Sequence, residues 1–184
     1  MSAPQRSPAS ERQRGGAALP GHGLRLRPMA AADLDAVIEI EHAAYGFPWT
    51  RGNFIDSLAA GHRGELLVQA DGSVIGYCLA MRGVDEMHLL NLTVAPRHQR
   101  QGHACRLLDA LERHCRALGI GRIWLEVRTS NAGARRLYLR RGFVETGLRR
   151  GYYPAGAAGR EDALVMQLEL PAGRSDAPSD ALDR

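Results

Sequence analysis

The segment from Leu89 to Arg128 constrains the fold of this chain more than any other. It reads LLNLTVAPRHQRQGHACRLLDALERHCRALGIGRIWLEVR, so two apolar, strand-like runs enclose a helical pattern. The apolar residues of that pattern fall on one stripe of a helix, and they are Leu107, Leu108, Leu111, Cys115 and Leu118. Gly119 is predicted to end the helix as a C-cap. The segment therefore predicts a strand-helix-strand unit in the middle of a domain.

The sequence on either side of this unit predicts further strands and helices. Before it come a strand at 23–29, helices at 31–45 and 51–61 with Thr50 as N-cap, a hairpin at 64–83 turning at Asp71-Gly72, and a strand at 86–95. After it come a helix within 129–142, begun by Ser130 or Asn131, and strands at 143–147 and 162–170. The predicted fold class is α/β of the α+β type, with a mixed, mostly antiparallel sheet flanked by helices.

The length of 184 residues favours one domain, which we place at residues 23–170. Residues 1–22 are rich in Ser, Pro, Gly, Ala and Arg and have no hydrophobic period, so we expect a disordered leader. Residues 171–184 have the same character and are expected to form a disordered tail.

Composition and residue spacing exclude several classes of function. The net charge is +4, but the 24 basic residues are scattered among 20 acids, so direct nucleic-acid binding is not expected. The three cysteines and seven histidines have neither zinc-ligand spacing nor the pattern of a disulfide framework, so no metal is expected. No apolar run approaches the roughly 18 residues that span a bilayer, and the N-terminus lacks the apolar core of a secretory signal. We therefore expect a cytoplasmic protein that does not enter membranes.

The turn that begins the central helix, from Arg100 to Cys105, is a candidate anion site. Gly102 precedes the helix, where the first backbone N–H groups have no partner within the helix and carry the positive end of its dipole. Such a turn can bind a phosphate or pyrophosphate, although a glycine before a helix is more often only a turn. The segment has neither the G-K-[ST] of a Walker loop nor the further glycines of a dinucleotide fingerprint, so another phosphate-bearing cofactor is indicated.

Several motifs along the chain carry a family resemblance. Gln99-x-x-Gly102-x-Ala104 matches the pattern Q/R-x-x-G-x-G/A, and the segments FPW, LEVRTSN, LYLRRGF, RRGYYP and EDALVM occur around it in a fixed order. In this order they resemble the GNAT acetyltransferase superfamily, in which the glycine pattern binds pyrophosphate, and within it the RimI family of ribosomal-protein-alanine N-acetyltransferases. The resemblance covers about residues 24–170.

The resemblance implies acetyl-CoA as the cofactor and a GNAT fold, in which the strand before the glycine turn splays from the strand after the helix. The pantetheine arm lies in that gap. The residues expected to bind acetyl-CoA are Leu92, Thr93, Val94, Arg100, Gln101, Gly102, His103, Ala104, Cys105 and Asn131. Ala104 stands where glycine is common, and Cys105 replaces a frequent arginine or lysine, which would weaken phosphate binding unless Arg97 or Arg100 compensates.

The resemblance also implies Glu126 as general base and Tyr138 as general acid. An α-amino group has a pKa of about 7.7–8.0, so its neutral form costs about 1–1.4 kcal/mol at pH 7, against about 4.6 kcal/mol for lysine. A modest base therefore suffices, and burial in the strand is expected to raise the pKa of Glu126 toward that range. From the residues alone, the alternatives are a structural glutamate paired with Arg128 or Arg122, and a tyrosine packed in the core.

The implied acceptor is the N-terminal alanine of a small-subunit ribosomal protein. Residues 47–49 (FPW) and the pair Tyr152-Tyr153 are expected to flank the peptide channel, with ordinary loop packing as the alternative. Transfer is expected to be direct, in a ternary complex, because Cys105 and Cys115 have no matched histidine base. Alternatives are an acetyltransferase of other N-termini or small amines, a non-catalytic CoA-binding module, and a basic ribosome-associated protein. We expect a monomer or a weak homo-oligomer.

Overall fold

The computed structural model describes residues 23–171, which form seven β-strands and four α-helices in the order that the sequence predicts. The strands are β1 (Arg25–Pro28), β2 (Arg63–Val68), β3 (Val74–Arg82), β4 (Met87–Val94), β5 (Arg122–Arg128), β6 (Val144–Pro154) and β7 (Arg160–Glu169). The helices are α1 (Leu34–Ala44), α2 (Arg51–Ala59), α3 (His103–Ala117) and α4 (Ala132–Arg140), and none of these is long and apolar enough to cross a membrane. The predicted leader, and the predicted tail beyond residue 171, lie outside the described residues.

The seven strands form one sheet in the order β1-β2-β3-β4-β5-β7-β6. The pair β4–β5 is parallel and the other five pairs are antiparallel, which confirms the predicted fold class. Two parallel neighbours need a long crossover connection, and α3 provides it. The strand-helix-strand unit read from the sequence is therefore this crossover.

The predicted hairpin between β2 and β3 is confirmed. Gly72 has φ of +88°, a left-handed conformation that glycine adopts without the penalty of a Cβ atom. The Asp71 carboxylate accepts a hydrogen bond from the backbone N–H of Ser73 at 2.9 Å, which closes the turn.

Two hydrophobic clusters hold the helices against the sheet. One contains Leu108 of α3, and the other contains Phe54 of α2, and both side chains are fully buried. Leu66 and Leu67 of β2 belong to different clusters because successive strand residues point to opposite faces. Each such buried side chain contributes about 1.5–3 kcal/mol, so both helical layers are firmly attached.

The apolar stripe predicted for α3 is buried except at its last member. Leu107, Leu108, Leu111 and Cys115 are each at most 1% exposed. Leu118 is 40% exposed, because α3 ends at Ala117 and Leu118 is its C-cap. Gly119 follows with φ of +70°, and the N–H of Ile120 donates to the carbonyl of Cys115 at 2.9 Å, which completes a Schellman motif.

The strand predicted at residues 143–147 is longer than the pattern indicated. β6 continues to Pro154, with a register shift against β7 between Arg149 and Tyr153 and with Gly151 at φ of +55°. A bulge of this kind breaks the alternation that a strand prediction needs, and proline is tolerated because β6 is an edge strand. The segment RRGYYP is therefore part of the sheet.

Candidate active site

Strands β4 and β5 pair over only part of their length. Their register covers Met87↔Ile123, His88↔Trp124 and Leu89↔Leu125, after which the two strands separate. The remaining residues of both strands, 90–94 and 126–128, therefore border an opening in the sheet. The splay that the resemblance implied is present at the position expected for it.

Two cavities meet at this opening. The first, of about 500 Å³, lies at the start of α3 and along α4, and we call it the α3 cavity. The second, of about 540 Å³, lies between β5 and the segment 45–49, and we call it the β5 cavity. Both are lined by Tyr45, Leu92, Asn131, Ala134 and Tyr138. Within residues 23–171, no cluster of three or more His, Cys, Asp or Glu side chains could hold a metal ion.

The turn before α3 is built to expose backbone N–H groups. Arg100 and Gly102 have φ of +62° and +80°, so the chain enters the helix through two left-handed residues. A Cβ atom at Gly102 would meet nothing within 4 Å, so glycine is required there for its backbone conformation and not for space. Gln99 donates from Nε2 to the carbonyl of Val94 at 3.0 Å, which fixes the turn to the end of β4.

The residues expected to bind acetyl-CoA are brought together around the α3 cavity, with one exception. The residues lining it include Leu92, Thr93, Val94, Arg100, Gly102, His103, Ala104, Cys105 and Asn131. Gln101 does not line the cavity: it is exposed, and its Nε2 donates to the carbonyl of Arg97 at 3.3 Å. Asn131 is the N-cap of α4, and its side chain accepts a hydrogen bond from the N–H of Ala134 at 3.0 Å.

His103, which the resemblance had already implied, lines the α3 cavity together with two arginines that the motif did not identify, Arg136 and Arg140. His103 is buried, and its Nδ1 atom has no hydrogen-bond partner in residues 23–171. Desolvation lowers the pKa of His103, and the positive charge of Arg106 adds to this effect. Arg136 and Arg140 lie one turn apart on the exposed side of α4 and bring two cations to the cavity.

Glu126 lies on β5 and lines the β5 cavity with its side chain 21% exposed. Its carboxylate pairs with the guanidinium of Arg149 at 3.2 Å, not with Arg128 or Arg122 as the structural alternative supposed. Arg149 belongs to β6, two strands away, so sequence proximity could not identify it. Arg128 instead pairs with Glu161 at 3.1 Å.

Tyr138 of α4 is 7% exposed and lines both cavities, so it faces the place where they meet. Its ring packs against Phe143 with the centroids 5.4 Å apart, which fixes the direction of the phenol. Burial raises the pKa of Tyr138. The side chain therefore retains its proton at neutral pH while facing the opening.

A buried carboxylate that the sequence did not single out lies beside the β5 cavity. Glu41 of α1 is 1% exposed and accepts hydrogen bonds from the Tyr77 hydroxyl, from the N–H of Trp49 at 2.9 Å and from Nδ2 of Asn91 at 3.3 Å. In the sequence Glu41 falls on the apolar stripe of α1, and that placement was the only available signal. Its bond to Trp49 fixes the segment that follows α1.

The predicted acceptor segments border the β5 cavity, with one exception. Phe47, Pro48 and Trp49 line it, and so does Tyr153, whose hydroxyl donates to the carbonyl of Glu126 at 3.1 Å. Tyr152 does not line either cavity and is 41% exposed, with the Arg149 guanidinium 5.3 Å from the centre of its ring. Tyr152 therefore supports the position of Arg149.

The loop between β5 and α4 is held by Glu161 of β7. Its carboxylate accepts the N–H of Ser130 at 2.7 Å and the hydroxyl of Thr129 at 3.1 Å, in addition to the ion pair with Arg128. The bond from Ser130 is the main reason why the pKa of Glu161 is lowered to about 2. This loop leads into Asn131, so Glu161 fixes the entry to α4 at the edge of both cavities.

Comparisons with known proteins agree with this geometry. The sequence model of the "Acetyltransferase (GNAT) family" matches residues 34–143. The [ribosomal protein bS18]-alanine N-acetyltransferase of Haemophilus ducreyi is 38% identical over 79% of this chain and 99% of its own, and that of Escherichia coli strain K12 is 37% identical over 79% and 97%. The crystal structure of the ribosomal-protein-S18-alanine N-acetyltransferase from Escherichia coli superposes with a TM-score of 0.74 at 36% identity, covering 79% of this chain and 93% of that one.

Proposed function

The chain belongs to the GNAT acetyltransferase family, and within it to the RimI family, and from this membership we propose that it transfers an acetyl group from acetyl-CoA to the N-terminal α-amino group of a protein. The acceptor we propose is the N-terminal alanine of ribosomal protein bS18, which the names of the similar proteins specify. The observation that carries the proposal is the meeting of two cavities at the splay of β4 and β5, with Glu126 on one side and Tyr138 between them.

The α3 cavity suits a phosphate-bearing cofactor in its polarity and charge. Its volume is typical of a small-molecule site. The free edge of β4 at residues 92–94 would bind the pantetheine amides, and the backbone N–H groups of residues 100–105 would bind the pyrophosphate. Arg100, Arg136 and Arg140 add the positive charge that phosphates require. When bound, acetyl-CoA supplies an acetyl group activated as a thioester.

Glu126 is the proposed general base. The acceptor α-amine must lose a proton, at a cost of only about 1–1.4 kcal/mol at pH 7, and a carboxylate at the wall of the β5 cavity suffices for that, directly or through a water molecule. The ion pair with Arg149 orients the carboxylate.

Tyr138 is the proposed general acid for the departing thiolate. Its raised pKa keeps the phenol protonated until that step, and the tyrosine lines both cavities, so it reaches the point at which the two substrates would meet.

Transfer in this mechanism is direct, without an acyl-enzyme. Burial raises the pKa of Cys78 to about 12 and that of Cys115 to about 11, so neither thiol is a ready nucleophile. Cys105 lines the α3 cavity at the turn of residues 100–105, and it is not among the five residues that both cavities share. We propose that the protein acts in the cytoplasm, where its ribosomal substrate is made. In this proposal it is a monomer or a weak homo-oligomer, and it needs neither a metal nor direct contact with nucleic acid.

The proposal is tested by free-CoA release with acetyl-CoA and a short peptide beginning Ala-Arg, beside the same peptide with a blocked N-terminus, with the products confirmed by mass. We expect only the free peptide to be acetylated. Glu126→Gln and Tyr138→Phe are each expected to lower kcat by about 10²-fold or more, the usual contribution of a positioned acid or base. Thr146→Val, on the exposed edge of the sheet and outside both cavities, is the matched control and should retain full activity.

Four outcomes would contradict parts of the proposal. Full turnover by Glu126→Gln near pH 7 would remove Glu126 as the base. Acetylation of small amines but not of the peptide would reassign the acceptor class. CoA binding without turnover on any amine would leave a non-catalytic CoA-binding module, and failure of CoA to raise Tm would remove the cofactor itself.

A further inference from the structure

The buried carboxylate of Glu41 has hydrogen bonds but no counter-ion. Its three partners, Tyr77, Trp49 and Asn91, all donate to it, and no Arg or His nitrogen of the described residues lies within 4 Å. A carboxylate this deeply buried normally has a cationic partner. Its negative charge is therefore available to a cation that enters the β5 cavity, which Glu41 lines.

The hydrogen bonds from Glu41 continue outward to the phenol of Tyr45. Asn91 donates to Glu41 from Nδ2, so its Oδ1 atom is left to accept, and the hydroxyl of Thr93 donates to it at 2.8 Å. A hydroxyl has one proton, and that of Thr93 is used in this bond. The 3.0 Å contact between Tyr45 and Thr93 therefore has Tyr45 as the donor. The phenol oxygen of Tyr45 keeps its lone pairs, and any further partner must donate to it.

The position of Tyr45 selects which ligand can be that partner. Tyr45 lines both cavities, so its phenol belongs to the region where an acetyl thioester and an acceptor would meet. A thioester carbonyl can only accept hydrogen bonds, whereas an α-ammonium group donates three. The amine is thus the reactant that matches the phenol.

The other charges that line the β5 cavity are already paired. Glu126 has Arg149 as its partner, and Arg128 has Glu161. Glu41 is the remaining charged side chain of that lining within residues 23–171. The cavity therefore has a net negative character that originates from Glu41 and favours a cationic group.

We infer that Tyr45 accepts a hydrogen bond from the α-ammonium group of the acceptor, and that Glu41, acting through Asn91 and Thr93, orients the phenol and compensates the ammonium charge. This inference rests on the proposed function in one respect, the primary amine as acceptor. Tyr45 is a substrate-binding residue in this scheme, and Glu41 is a positioning residue. Proton removal remains with Glu126.

The test compares two peptides that differ only in the ammonium group. One begins Ala-Arg, and the other has a propionyl group in place of the alanine, which has the same shape without nitrogen. Dissociation constants are measured on the enzyme saturated with CoA, so no chemistry interferes, and turnover with acetyl-CoA is followed in parallel. We expect the wild type to bind the amine peptide about tenfold more tightly or better, as for one hydrogen bond to a charged group.

Tyr45→Phe removes the phenol oxygen and retains the ring. It should weaken binding of the amine peptide by about tenfold and leave the propionyl peptide and CoA within about twofold, which removes the difference between the two peptides. Glu41→Gln should give the same pattern, because the carboxamide retains the shape of the side chain but not its charge. Thr146→Val is again the control, and Tm is measured for every variant.

The outcomes separate the inference from the proposed function. If Glu41 only holds Trp49 in place, Glu41→Gln weakens both peptides equally, and this overturns the positioning role. An unchanged preference for the amine peptide in Tyr45→Phe overturns the binding role while wild-type acetylation of the peptide still upholds the proposed function. If the wild type binds neither peptide and acetylates no amine, both proposals are wrong.

Discussion

Gly76 of β3 allows a close approach of β4 beside the proposed reaction centre. It is buried and paired with Val94, and a Cβ atom there would lie 2.9 Å from the carbonyl oxygen of Thr93 and 3.3 Å from Cα of Val94. Both contacts are with backbone, which cannot rotate away, so Gly76→Ala must push the end of β4 outward by several tenths of an ångström. Overpacking of this kind costs about 1–3 kcal/mol.

The displaced residues are those proposed to bind the pantetheine arm, so Gly76→Ala should affect two measurements together. For a domain of this size, the loss corresponds to a fall in Tm of about 2–12 °C. The dissociation constant for acetyl-CoA should also rise several-fold, measured by calorimetry at a temperature where the variant is folded.

Gly147→Ala is the matched control for this effect. Gly147 is an exposed strand glycine whose added Cβ would make only an ordinary contact, 3.8 Å from Cβ of Val165. Alanine there should leave acetyl-CoA binding unchanged and stabilise the fold by up to about 1 kcal/mol, because it restricts the unfolded chain. Equal Tm values for the two variants, or a destabilised Gly76→Ala with unchanged acetyl-CoA binding, would refute the reasoning.

Two further predictions concern stability. The pKa of Glu161 is lowered from 4.5 to about 2 on folding, so its contribution to stability is present above about pH 4.5 and is lost as the pH falls toward 2. The difference in unfolding free energy between the wild type and Glu161→Gln should therefore shrink between about pH 6 and about pH 3. A difference that stays constant over this range would contradict the prediction. Leu108→Ala removes a fully buried side chain between α3 and the sheet and should cost about 2–5 kcal/mol in urea unfolding, whereas Leu118→Ala, at the exposed C-cap, should cost well under 1 kcal/mol.

The sequence predicted the parts of the fold that depend on local chemistry. The crossover helix has a strict apolar period, a glycine at each end and strands on both sides, and each signal points to the same structure. The sequence also offered two candidates, Ser130 and Asn131, for the N-cap of α4. Asn131 is the cap, because its side-chain oxygen accepts a hydrogen bond from the N–H of Ala134. Such signals act over a few residues and need no knowledge of the rest of the chain.

The parts that the sequence did not predict depend on contacts between distant segments. Arg149 of β6 pairs with Glu126 of β5 across the one strand, β7, that lies between them in the sheet. The hydrophobic pattern of the sequence does not give this order of strands. Glu41 sits on an apolar stripe, and only tertiary structure shows that Tyr77 and Asn91 surround it. The length of β6 was underestimated because its bulge interrupts the alternation. Pairing across the sheet decides the first and the third, and the packing of α1 on the sheet decides the second.

The two cavities at the separation of β4 and β5 are largely distinct, since they share only five of the residues that line them. Each binding surface can therefore change through drift or design without disturbing the other. Under the proposed function, replacements at Phe47 or Pro48 would alter which acceptor N-termini enter the β5 cavity and would leave the turn of residues 100–105 unchanged. Under the proposed function, a chain with this arrangement can exchange one acceptor for another while its cosubstrate, and the transfer chemistry that depends on it, stay constant.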